Sequence, residues 1–348
     1  MIKKILILFL FLFLTGCYNY TELNDLAIVT ALGIDYHDNK YHVTIQVVNT
    51  KKTEENENNN GFTIYEADGH TLEEAIKNLS LICPKKIYLS HLEILIYGEE
   101  IALKGINDTL DYLLRNNSIR GDFYLFVAKN NMANDILKID NKSFIINSES
   151  IKKLNETSYK QTGKSTIITF YELANTYLNE NKEIVIPTIE ASDKKLIMNN
   201  LAIFKKDKLV KYLNENKTIT YNILTNKINE ATYKIKCQDG YIDILINNLK
   251  TNIKPHNDSI DINIKTDGSV SSITCNLDLN NEKNLEIISS KISNLIENNI
   301  YSLLNDKIDI IGIKDIFYKN KINYPDNIKE NIDIKVNIIG KGNVKNAK

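Results

Sequence analysis

Residues 26–48 read LAIVTALGIDYHDNKYHVTIQVV. Leu26 to Ile34 is an apolar run of strand length, Tyr36 to Lys40 reads as a turn, and Tyr41, Val43, Ile45 and Val47 then alternate with His42, Thr44 and Gln46. A period of two marks a strand with one face on a core and the other in water, so the stretch predicts a half-buried β-hairpin. Gly33 and Gly69 are read as turn glycines.

Downstream, Lys51 to Gly61 (KKTEENENNNG) has almost no large side chains and predicts a mobile loop. Thr71-Leu72-Glu73-Glu74 has the form of a capping box, and Leu72, Ala75, Ile76 and Leu79 follow at helical spacing until Pro84. A strand at Leu92, Ile94 and Ile96 precedes a helix with Ile106, Leu110, Leu113 and Leu114 as its apolar stripe, then a strand from Phe123 to Ala128. Residues 130–181 read as helix interrupted near Gly163, and Glu183 to Pro187 as a strand. Alternating strands and helices of this kind predict helices packed on a sheet.

A boundary near Ala191 to Lys195 divides the mature chain into units 17–192 and 193–345. The second opens with a hairpin, Leu201 to Phe204 and Leu209 to Leu213, and further hairpins are expected at Asp239-Gly240 and Asp267-Gly268. From Asn281 a long helix carries Leu285, Ile288, Ile292, Leu295, Ile296, Leu303 and Leu304 on one face, and Ile332, Ile334, Val336 and Ile338 alternate in a last strand. The fold class is therefore α+β, with mixed and antiparallel sheets, packed helices, and two or three domains.

Lys3 and Lys4 precede an unbroken apolar run, Ile5 to Leu14, and then Thr15-Gly16-Cys17. Residues 1–16 read as a signal peptide, because ten apolar residues make a helix of about 15 Å, half of a bilayer's hydrocarbon core. Leu14-Thr15-Gly16-Cys17 resembles the lipobox of bacterial lipoproteins, so Cys17 is the expected lipidation site. Two or more acyl chains anchor a protein stably where one does not. An ordinary secretory signal with a chance cysteine is the alternative.

With 43 basic and 44 acidic side chains among 348 residues, the chain has no footprint for nucleic acid. A content of 43% hydrophobic and 25% charged residues is that of a chain folding in water. Cys83, Cys237 and Cys275 form no metal-ligand pattern; Cys237 and Cys275 lie in strand-like stretches where a bridge is one reading, and buried free thiols are the reading adopted. The five histidines (His37, His42, His70, His91, His256) make no H-x-x-x-H pair, and no G-x-S-x-G elbow or phosphate-cradling loop occurs. Ser150-Ile151-Lys152-Lys153 matches S-x-x-K without its companion S-D-N and K-T-G elements and is set aside. No catalytic residue, metal or cofactor is expected.

Several segments in order resemble the Ger(x)C family of spore germination lipoproteins, the GerC-type subunits of nutrient germinant receptors. Residues 22–35 (ELNDLAIVTALGID) are similar to the family's E-L-x-D-L-x-I-V-x-A-x-G-I-D opening, 87–99 (IYLSHLEILIYGE) to its L-Y-x-x-H-x-x-x-x-x-x-G-E stretch, and 201–210 to its second-half hairpin. Lys314-Asp315-Ile316-Phe317 resembles a short segment before the last strand, although Tyr318 replaces a glycine there and Tyr18 replaces a Trp after the lipid cysteine. The motifs mark Asp25, Gly33, Asp35 and His91, for which roles in turns or strand ends are expected before ligand contact. The resemblance implies a non-enzymatic subunit, lipid-anchored on the outer face of the spore inner membrane. Its partners would be two integral membrane subunits, A- and B-type, with small-molecule contact left open. A solute-binding lipoprotein that captures a nutrient is the competing reading, and a peptidoglycan-acting enzyme a third.

Overall fold

The computed structural model describes residues 22–49, 61–139, 147–179, 181–193 and 195–340. The expected signal segment, Cys17 and residues 51–60 of the expected loop lie outside them. Strands β1 (Leu26–His37) and β2 (Lys40–Val48) form the opening hairpin, turning on Asp38 and Asn39 at φ 50° and 59°. Positive φ at both turn residues gives the twist that suits a two-residue hairpin. Strand β3 (Phe62–Gly69) pairs with β2, and α1 (Leu72–Leu79) crosses back to β4 (Lys86–Tyr88) and β5 (Ile94–Gly98), both parallel to β1. Thr71 Oγ1 caps α1 by accepting from Glu74 N–H at 3.1 Å, as its sequence requires.

Helices α2 (Glu99–Lys104) and α3 (Asn107–Arg115) lead to β6 (Tyr124–Ala128). After it come α4 (Ala133–Lys138), α5 (Asn147–Thr157), α6 (Phe170–Leu178) and β7 (Val185–Ser192). Strands β8 (Lys195–Ile197), β9 (Leu201–Lys205) and β10 (Lys208–Leu213) complete a mixed sheet of order β10-β9-β7-β6-β5-β1-β2-β3. Here β5, β6 and β7 run parallel to β1, and β9 pairs antiparallel with β7.

The remaining chain is α7 (Glu215–Leu224), β11 (Ala231–Lys236), β12 (Tyr241–Pro255), β13 (Ser259–Ile273), α8 (Glu282–Leu304), α9 (Ile313–Lys319) and β14 (Lys329–Gly340). Its sheet has the order β11-β12-β13-β14, with β14 parallel to β13. Helix α8 lays Ile288, Ile292, Ile296, Ile300 and Leu303 on that sheet. The opposite sheet face is solvated, giving the clean alternation of β14.

The large sheet is covered on both faces. Helices α1, α2, α3 and α6 bury one face, with Leu95, Tyr97, Leu125 and Val127 in its core; α4 and α5 bury the other, with Ile94, Ile96, Phe126 and Ala128. The opening hairpin is therefore not half-buried: Thr44 and Gln46 on its polar face are fully buried. A bulge at Thr30 adds one residue to β1, so Ala27 and Val29 face the same core as Leu32 and Ile34, while Ala31 turns to the other.

Three further expectations are corrected. Gly33 lies inside β1, not in a turn. The Asp267-Gly268 pair also runs through the middle of β13, because Ile260, Ile262, Ile264, Thr266, Gly268 and Val270 keep one buried phase across it; the hairpin turn is at residues 256–258. Cys237 and Cys275 are joined by a disulfide with Cα atoms 6.4 Å apart, since the β11–β12 turn and the end of β13 extend one ladder and bring them together. Cys83 is buried and free.

Candidate functional site

The bulge at Thr30 sets Gly33 and Asp35 on the face that receives α4. A Cβ on Gly33 would stand 3.0 Å from Leu137 Cδ1 and 3.1 Å from Ala133 Cβ, so its lack of a side chain lets α4 lie against β1. Two residues on, Asp35 is 3% exposed and caps α4 from outside it: Ala133 N–H donates to Oδ1 at 2.7 Å and Asn134 N–H to Oδ2 at 3.0 Å. Burial pushes this carboxyl above the usual carboxylate range, while the two N–H donors pull it down. A Cβ on Gly98, at the end of β5, would fall 1.9 Å from Asp35 Oδ1, so β5 is cut to glycine where the carboxylate sits.

Beyond Asp35 the cap opens into a polar network. His42 Nδ1 lies 2.6 Å from Asp68 Oδ1, and its Nε2 lies 3.0 Å from Asn134 Nδ2 and 3.4 Å from Glu66 Oε2. Asn134 Nδ2 also faces Thr44 Oγ1 at 3.1 Å and Glu66 Oε2 at 2.7 Å, giving three acceptors for two N–H groups. Lys138 Nζ lies 2.7 Å from Glu66 Oε1. Burial raises the Glu66 carboxyl, but Lys138 and Asn134 outweigh it and hold the group below its ordinary range. These contacts join β1, β2 and β3 to α4 through charge and hydrogen bonds.

A second polar junction lies where the two sheets meet. Asp309 caps α9: Oδ1 accepts from Gly312 N–H at 2.7 Å and Ile313 N–H at 2.9 Å, and Oδ2 from Lys314 N–H at 2.8 Å. Beside it is a cleft of about 440 Å³, lined by Lys182 and Glu183 before β7 and by Asp306, Asp309, Lys314, Tyr324 and Glu330 of the second half. Burial holds the Lys182 ammonium below its ordinary range, opposed by Asp315 and Asp309. Phe317 is fully buried in α9, whereas Tyr318 is 73% exposed.

Of the motif-marked residues, Gly33 and Asp35 meet at α4. Asp25 ends an exposed 3-10 turn (Leu23–Asp25), and His91 is exposed, its ring tilted against Tyr88 at 5.7 Å. Neither belongs to the network. Among the described residues Cys237, Asp239 and Cys275 gather metal-ligating atom types, but the disulfide takes both sulfurs and leaves one carboxylate.

A family model described as the spore germination protein N-terminal domain matches residues 19–191, and one described as spore germination B3/GerAC-like, C-terminal, matches residues 199–343. The chain belongs to this GerAC-like family. Over 94% of its length it is 24% identical to spore germination protein KC of Bacillus subtilis, covering 89% of that protein. It is 25% identical to spore germination protein GerQC of Bacillus cereus over 90% of this chain and 89% of the relative. The crystal structure of the GerBC protein has the same fold, with TM-score 0.56 over 88% of this chain and 96% of that one, at 19% identity.

In this GerAC-like chain, sequence reading passed over His42, Glu66, Asn134 and Asp309. The alternation of residues 41–47 puts His42 on the wet face of a strand, residues 62–69 carry no such reading, and only the cover of α4, which follows from no local pattern, half-buries both His42 and Glu66. Asp309 had a local signal: an aspartate three residues before Gly312 and a short helix.

Proposed function

We propose that this protein is the lipid-tethered, non-enzymatic subunit of a spore nutrient germinant receptor. It is held at the outer face of the spore inner membrane through Cys17 and assembles there with A- and B-type integral membrane subunits. Its family places it among spore germination proteins. The observation that carries the finer reading is the extent of the family matches: residues 19–191 and 199–343 span nearly all of this chain, and Cys17 stands two residues before the first. Among the described residues no helix is long and apolar enough to cross a membrane. In this reading the attachment is made by the acylated Cys17 of the lipobox-like Leu14-Thr15-Gly16-Cys17.

The gap between the two matches supports a division into units 17–192 and 193–345. The β9–β10 hairpin of the second unit pairs with β7 of the first, so the units share a sheet. Detergent phase partitioning of wild type and Cys17→Ala from a spore-former tests the tether. The detergent-phase fraction and the nutrient response are both lost on substitution in this reading; a variant that partitions and germinates like wild type contradicts it.

A second reading, capture of a small nutrient by this subunit itself, is favoured by the 440 Å³ cleft, whose size suits a small solute. Saturable heat of binding for a nutrient, abolished by Asp306→Ala, would support it. No heat from any nutrient that triggers the spores would set it aside.

A further inference from the structure

We infer that the exposed pair Leu81-Ile82, which the fold places at the same sheet edge as the chain's entry from Cys17, is a second membrane contact that dips into the lipid surface beside the tether. The inference rests on the proposed anchor for its geometry. Strands β1 and β4 run parallel, with Leu26 opposite Lys86, so the residues leading into both strands lie at one end of the large sheet. Those residues are Glu22–Asp25 on one side and Leu81–Lys85 on the other. Cys17 precedes Glu22 by five positions, a reach of at most about 18 Å. Strand β1 is 12 residues long, about 40 Å, so the tether can bring only this end of the sheet to the bilayer.

At that end the loop after α1 is built to project. Leu79 is fully buried and Cys83 is 6% exposed, and Cys83 N–H donates to Leu79 O at 2.8 Å. Between these fixed points Leu81 is 82% exposed and Ile82 52%, while Leu23 beside the chain entry is 63% exposed. Two consecutive large apolar side chains held out to water by a loop pinned on both sides are costly in a soluble surface and favourable at a headgroup boundary. Lys85 and Lys86 are balanced by Glu22 and Asp25, so the patch is close to neutral and contact is carried by the apolar side chains. An acylated cysteine fixes distance from the membrane and leaves orientation free; a wedge beside it fixes orientation.

The test uses the full-length protein, with an environment-sensitive fluorophore on Leu81→Cys or, at the far end of β1, on Lys40→Cys. Both are prepared with Cys17 intact and as Cys17→Ala, in phosphatidylcholine vesicles carrying a spin-labelled phospholipid. Flotation reads the anchor and quenching reads the loop. We expect flotation to depend on Cys17, and the label at 81 to be quenched about twofold or more over that at 40, with no loss in high salt. Flotation with equal quenching at 81 and 40 overturns the loop contact and leaves the anchor standing. Quenching at 81 with flotation indifferent to Cys17 overturns the anchor and keeps the loop contact. Neither flotation nor quenching overturns both.

Discussion

Gly98→Ala isolates the steric cost of the Asp35 cap. Gly98 has φ −63° and ψ 160°, a backbone any residue adopts, so alanine meets no conformational penalty. What it meets is Asp35: the new Cβ stands 1.9 Å from Oδ1 and 3.1 Å from Cγ. The carboxylate must move, and its bonds from Ala133 N–H at 2.7 Å and Asn134 N–H at 3.0 Å are lost. A buried donor without a partner costs about 1–3 kcal/mol, and relief of the carboxylate's own burial offsets part of the total, so we expect about 2–4 kcal/mol. Asp35→Ala breaks the same two bonds and should cost a similar amount. The double variant has no carboxylate for the alanine to meet, so it should cost little more than Asp35→Ala alone, a coupling close to the whole cost of Gly98→Ala, about 2–4 kcal/mol. Urea unfolding followed by circular dichroism measures each corner of the cycle, with an unchanged slope confirming a comparable unfolding reaction. Additive costs would show that the close approach of Gly98 does not hold Asp35 in place.

Breaking the Cys237–Cys275 disulfide, which spans 38 residues, by Cys275→Ser should destabilise the second half by about 4 kcal/mol on loop entropy. Thermal unfolding with and without reductant checks it, and a wild type insensitive to reductant would refute it. Lys227 is held below its ordinary pKa by burial, against the pull of Glu172. The unfolded chain therefore holds that proton more tightly, and stability should climb as pH rises from the folded-state pKa toward 10.5. Lys227→Met should flatten that alkaline climb in melting temperature. Glu66 is held low, so its contribution is present above 4.5 and lost as pH falls through its folded value. Glu66→Gln should shrink the acid limb of the stability profile and leave the limb above neutrality unchanged.

What could be read from the sequence was what local spacing decides. The β1–β2 hairpin, the Thr71 cap of α1, the long α8 beginning at its Asn281 cap and the alternation of β14 each follow from a few neighbouring residues. Pairing across the chain does not: nothing within β7 says that β9 will lie beside it, and nothing within β2 says that α4 will cover Thr44. The bulge at Thr30 reverses which side of β1 faces which core, and it shows only in the register against β2. Asp267-Gly268 misled because turn chemistry was weighed above the unbroken phase from Ile260 to Val270. At the candidate site Gly33 and Asp35 were marked by resemblance, but their joint service to α4 depends on a helix nearly one hundred residues later.

Affinity purification of the wild-type protein from detergent-solubilised spore inner membrane, with the recovered partners identified by mass spectrometry, addresses the central proposal most directly. The account predicts co-purification of two integral membrane subunits in fixed proportion to this chain, and their loss with Cys17→Ala. Recovery of the intact, membrane-derived chain alone, from spores that germinate normally, would contradict it.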